Sequence, residues 1–147
     1  MRSLSALFSC AILALAAASA VAAAENCPVT DKEFLQQITS AHDWFDVHAA
    51  YKHNLPACRD EGLYADGYTN MVVGVLAGNW ADLRTLQELT SKDEAFREFV
   101  LRHIGISAGE DDLRQVARQA RSDCAGDSAR LCKEIAARCK AALGGKR

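Results

Sequence analysis

Three times along this chain a hydroxyl-bearing residue is followed, three positions on, by glutamate and then by apolar residues at helical spacing. The stretches are Thr30-Asp31-Lys32-Glu33, Ser91-Lys92-Asp93-Glu94 and Ser107-Ala108-Gly109-Glu110. In such a capping box the hydroxyl accepts from an orphan backbone N–H while the carboxylate reaches back to another. The carboxylate also sits at the positive end of the helix dipole. Phe34, Leu35 and Ile38 follow the first box, and Leu113, Val116, Ala117 and Ala120 follow the third. Phe96, Phe99, Val100, His103 and Ile104 follow the second, in the i, i+3, i+4, i+7, i+8 stripe of a core-facing helix.

Two further stripes are Trp44, Val47, His48 and Tyr51, then Trp80, Leu83 and Leu86. The stretch from Leu63 to Leu76 crowds Met71, Val72, Val73, Val75 and Leu76 together, as a central buried helix would. Its glycines Gly62, Gly67 and Gly74 let neighbours approach closely, at some cost in helix propensity. Read as a strand, 71–76 lacks a partner, and a lone strand is not stable. The pattern predicts helices over 30–39, 41–53, 60–77, 80–90, 92–104, 109–122 and 128–143, broken at Asn54-Leu55-Pro56, Gly78-Asn79, Gly105 and Ala125-Gly126-Asp127. The expected fold class is all-α, a compact bundle of about six or seven short helices.

The chain opens MRSLSALFSCAILALAAASAVAAAEN. One Arg after Met1, an uncharged run from Leu7 to Ala24 and the closing Ala22-Ala23-Ala24 read as a signal peptide over 1–24, cleaved before Glu25. An uncleaved anchor is the rival reading, but a run made mostly of Ala and Ser gains little from lipid. Lipidation at Cys10 would leave almost no apolar stretch before it. Residues 25–147 then form a single helical domain, periplasmic or secreted, with no membrane span after cleavage. A domain of that size buries roughly two-thirds of its chain surface on folding.

Export decides how the sulfur is read. The mature cysteines are Cys27, Cys58, Cys124, Cys132 and Cys139, and thiols in an oxidising compartment pair by default. Two disulfides are expected, with one cysteine left over. Sequence does not rank the pairings. The preferred scheme links Cys58 to the Cys124/Cys132 pair, a long loop worth roughly 4 kcal/mol in the chain-entropy model, and Cys27 to Cys139, which would join the two termini. A local Cys124–Cys132 link is the alternative. The spacings C-x7-C and C-x6-C do not suit structural zinc, and no C-x-x-C suggests thiol redox work. No metal or cofactor is expected.

Candidate chemistry is thin. His42 and Asp46 stand four apart, a helical spacing that can chelate metal, yet no third ligand is obvious. His48 and His103 lie in apolar stripes and read as core histidines bonded to backbone. Asp60, Glu61 and Asp66 gather near a helix start, where they complement its dipole and offer a possible partner-binding acidic patch. Charge is divided along the chain. Residues 25–112 carry 16 acidic and 7 basic side chains, a balance of −9, whereas residues 113–147 carry 3 acidic and 9 basic, a balance of +6. Attraction between the two segments within one fold is the expectation, and a dipolar surface that steers a charged partner is the alternative. The basic segment has no aromatic residue for stacking, which argues against nucleic acid.

The run Cys58-x-Asp60-Glu61-Gly62, Ala65-Asp66-Gly67, Val72-Val73-x-x-Leu76-Ala77-x-x-Trp80, Asp93-x-Ala95-Phe96-x-x-Phe99-Val100-Leu101-x-His103-Ile104, closing on Cys124 and Leu131-Cys132, resembles a group of small secreted proteobacterial proteins of unassigned function. The likeness covers roughly residues 45–136. It implies an exported domain with cysteines at 58, 124 and 132, makes Cys27 and Cys139 additions, and implies no catalytic residues. The architecture is also similar, more loosely and without a shared motif, to periplasmic immunity proteins that neutralise type VI secretion amidase toxins. The expected function is that of an exported small binding protein, an immunity or inhibitor protein acting on a secreted effector or enzyme. It is not expected to be an enzyme itself. A small hydrolase-like periplasmic enzyme and a structural or envelope-stress component are the other classes.

Overall fold

A computed structural model describes residues 27–146, so the expected signal peptide lies outside the described residues. The described chain is all-α, with seven α-helices and two 3-10 turns among these residues. The helices are α1 (Asp31–Ser40), α2 (Trp44–Asn54), α3 (Leu63–Gly78), α4 (Leu83–Lys92), α5 (Glu94–Arg102), α6 (Glu110–Ser122) and α7 (Ala129–Gly144). Short 3-10 turns at Trp80–Asp82 and Gly126–Ser128 lead into α4 and α7. No described helix is long and apolar enough to cross a membrane.

Helix α3 is the central element, burying Tyr68, Met71, Val72, Val73, Val75 and Leu76. It starts at Leu63 rather than at residue 60, because Gly62 stands at φ +56°, a left-handed turn cheap only for glycine. Gly67 lets α1 close on α3, since a Cβ there would fall 2.5 Å from Cε1 of Phe34. Gly74 faces open space and plays no such part. Phe34, Phe96, Phe99 and Tyr68 are buried, and their rings meet at 5.0–6.1 Å, mostly edge-on. Each buried aromatic contributes roughly 2–3 kcal/mol of transfer free energy. Helices α6 and α7 form the most extensive pair, and α6 also packs on α3.

Of the three expected capping boxes only the first forms. Thr30 Oγ1 accepts from Glu33 N and Thr30 N donates to Glu33 Oε2. At the second, Asp93 caps α5 by accepting from Phe96 N, because α4 runs unbroken through Ser91, whose hydroxyl donates to Glu88 O instead. At the third, Gly109 occupies the cap position with no side-chain bond, and Glu110 is engaged by Arg114 four residues on.

The preferred disulfide scheme is corrected. Cys27 pairs with Cys58 and Cys124 with Cys132, while Cys139 is free and buried. The tertiary fold explains the outcome. Cys58 lies where the α2–α3 loop passes the segment leading into α1, and α7 turns Cys139 into the core. The first bridge closes a loop of 31 residues and the second one of 8. They restrict the unfolded chain by about 4 and about 2.5 kcal/mol respectively. The alternative Cys124–Cys132 link is therefore the one observed.

Candidate functional site

Titratable side chains meet at three helix junctions. At the first, His103 ends α5 as its C-cap residue, 3% exposed, with its ring 4.5 Å from Phe99 and 5.4 Å from Tyr68. Nδ1 faces Thr69 Oγ1 of α3 at 3.4 Å. Nε2 lies 3.2 Å from Asp60 Oδ1 in an oblique contact, electrostatic more than a directed hydrogen bond. Arg102 Nη2 meets the other oxygen of Asp60 at 2.5 Å. Burial holds the His103 pKa below its ordinary value, against the attraction of Asp60, so the imidazole is neutral at pH 7. Asp60 thus clasps the loop before α3 to the end of α5. A backbone hydrogen bond at Ala65 also bears on the imidazole, beside these side-chain partners.

The second junction centres on Asp93. Besides capping α5, its carboxylate takes Lys52 Nζ at 2.7 Å and lies 3.5 Å from His48 Nε2, both from α2. The Lys52 ammonium and the Phe96 N–H pull its pKa down to about 2. His48 is half-buried, 4.6 Å from the Phe96 ring centre. At the third, Arg97 of α5, its side chain 13% exposed, meets Glu94 at 2.8 Å, Glu98 at 3.2 Å, and Glu134 of α7.

The sequence-predicted residues fare unequally. Asp60 turns inward to Arg102 and His103. Glu61 is exposed and pairs with Arg59 at 3.1 Å, and Asp66 is exposed on the first turn of α3. The acidic patch is therefore divided between a clasp and a surface. His42 lies before α2, and its backbone N–H, not its ring, donates to Asp46. Among the described residues no group of three His, Cys, Asp or Glu side chains stands where it could hold a metal ion. The buried Cys139 thiol is pushed up to about 11 by desolvation and stays protonated at neutral pH. Sequence reasoning missed Asp93 and Arg97 as hubs. Asp93, three residues before Phe96, carried a cap signature that the adjacent Ser91 box obscured. Arg97 carried no signal, because its partner Glu134 is on a distant helix.

Four open surface depressions of about 210 to 340 Å³ mark the described surface. Two adjoin on α1 and α2 and share Gln37, Ser40 and His53. One of about 280 Å³ lies between α4, α5 and α7, lined by Gln87, Arg97, Arg130 and Glu134. His103, Asp60, His48 and Asp93 line none of the four.

Fold and site together define a disulfide-stapled all-α domain whose histidines and carboxylates brace helix junctions. No protein-family model, curated protein or solved structure matches the chain.

Proposed function

We propose that this domain is exported and acts by binding another protein, as an immunity or inhibitor protein of a secreted effector or enzyme. The observation that carries the reading is how the histidine–carboxylate pairs are used. Each is engaged at a junction between helices, and neither opens onto a depression described above. These groups stiffen the body and leave its surface to do the work. Two disulfides add stiffness and suit an oxidising compartment, in keeping with a periplasmic or secreted location. Rigid partners lose less conformational freedom on association. The exposed Glu61 and Asp66, with Leu63 between them also exposed, offer one polar-rimmed contact patch. The resemblance to small secreted proteobacterial proteins and the looser likeness to amidase immunity proteins point the same way.

The test is direct. The native exported protein is cross-linked in its producing cells, and the partner is identified by mass spectrometry and purified separately. A nanomolar Kd, and loss of the partner's toxicity on titration, is the expected result. A chain that binds none of the exported effectors encoded beside it at micromolar concentration refutes the proposal.

A further inference from the structure

The division of charge along the chain has a spatial outcome. If the acidic and basic segments simply neutralised one another, ion pairs would run from acids before residue 113 to bases after it. Among the described residues, the pairs joining the segments are Arg114 with Glu110 and Asp111, inside α6, and Arg97 with Glu134, in which the later segment supplies the acid. Arg118, Arg121, Lys133 and Lys140 are exposed and make no ion pair among the described residues. The expected mutual attraction does not account for them.

Their placement follows from helix geometry. Gln115 of α6 donates to Ala77 O at the end of α3, so one flank of α6 faces α3. Arg114, Arg118 and Arg121, at i, i+4 and i+7, occupy the other flank. Glu134 of α7 meets Arg97, so one flank of α7 faces α5. Lys133 and Lys140, one heptad apart, lie on the opposite flank. Because α6 and α7 pack against each other, these two flanks meet along one seam. Arg121 is close enough to α7 for its charge to bear on the Cys139 thiol, as that seam requires.

We propose that the α6–α7 seam is a docking surface for the acidic face of a protein. The inference rests on the binding function above and adds a second contact face, basic where the Glu61 and Asp66 patch is acidic, and the charge of the partner that meets it. Complementary charge supplies the argument: four unpaired cations on one side of a domain whose remainder is acidic. Exposed Ala137 and Ala141 lie between Lys133 and Lys140 or beside them, and their small side chains let carboxylates reach the cations. A membrane is disfavoured, because none of the exposed large apolar residues, Leu35, Phe45, Leu63 and Ile106, belongs to α6 or α7, and Ile106, which stands beside Gly145 at the end of α7, is a single apolar residue and no lipid-binding face. Nucleic acid is disfavoured by the lack of any Phe, Tyr or Trp beyond Phe99.

The test compares the mature chain with an Arg118→Glu, Arg121→Glu, Lys133→Glu, Lys140→Glu variant. A Gln version of the same four changes guards against misfolding, and Lys32→Glu with Lys92→Glu serves as an off-seam control. Poly-L-glutamate and phosphatidylglycerol vesicles are the probes, at 50 and 300 mM NaCl. Expected is poly-L-glutamate binding at 50 mM NaCl that falls at least tenfold in the seam variants and at high salt, is kept by the control, and exceeds vesicle binding. Seam variants within twofold of wild type, or vesicles bound in preference to poly-L-glutamate, overturn the proposal. With the purified partner from the cross-linking experiment, the association rate falls at least tenfold in the seam variants. A partner that binds them undiminished overturns the seam and leaves the binding function standing. If no protein partner is recovered, it is the binding function that fails.

Discussion

The same substitution at two glycines of one helix is expected to change stability in opposite directions. Gly67 and Gly74 both lie inside α3, and replacing either with alanine removes backbone freedom from the unfolded chain. That gain is worth about 0.5–1 kcal/mol where the native site accepts a methyl group. At Gly74 a Cβ meets nothing within 4 Å, so Gly74→Ala should stabilise by about that amount. At Gly67 the Cβ falls 2.5 Å from Cε1 and 2.8 Å from Cζ of Phe34, with Ile38 Cδ1 at 3.4 Å. Phe34 is fully buried and its ring is held edge-on by Tyr68, so it cannot swing aside. Overpacking of this kind costs about 1–3 kcal/mol, and after the propensity gain Gly67→Ala should destabilise by about 1–2 kcal/mol. Urea unfolding of the oxidised protein measures both, read as a shift of midpoint at constant slope. In thermal melts each kcal/mol corresponds to roughly 4 °C. A Gly67→Ala protein as stable as wild type, or both variants moving in the same direction, would refute the placement of α1 on α3.

Stability should fall in two acid steps. The depressed pKa of His103 stabilises the fold above its unfolded value of about 6.5, and that contribution is lost as pH falls below it. Asp93, held at about 2, contributes above its ordinary value of 3.8 and loses its share as pH falls towards 2, about 1 kcal/mol after allowance for the solvent-exposed Lys52. Chemical denaturation from pH 8 to pH 2 resolves both steps, and a flat profile contradicts them. Asp60→Asn should lower stability by about 1 kcal/mol and shift the His103 titration, followed by NMR, to still lower pH, since the attracting carboxylate is gone. In the chain from residue 25 onward, Ellman's reagent should detect one thiol, and only after unfolding, because among the described residues Cys139 alone is free and it is buried. Two or more titrating thiols in the native protein would break the assigned pairing. Removing Cys27–Cys58 should cost more than removing Cys124–Cys132, about 4 against about 2.5 kcal/mol, in proportion to the loops closed.

Helix content was legible because its signals are local. The stripe Phe96, Phe99, Val100 identifies the core face of α5 from spacing alone, and all three are buried. The expected helices correspond in order to α1–α7, with ends displaced by a few residues where Gly62 and Asp93 outweigh the neighbouring cues. The paired sulfurs were foreseeable in number, and the Cys124–Cys132 link as an alternative, but the partner of Cys58 was not. Cys58 meets Cys27 only because α1 folds back on α3, and no spacing encodes that contact.

The candidate site follows the same division. Residue types and their order along the chain determined that the domain is helical, that it carries sulfur suited to cross-linking, and that acid and base are segregated between its two parts. Only the tertiary structure decided that Asp60 turns inward to Arg102 and His103, that Asp93 joins α2 to α5, and that the cations of α6 and α7 share a seam. Propensity, capping and helical period act over a few residues and survive in the sequence. Contacts between distant helices depend on crossing geometry, which the whole packed core sets at once.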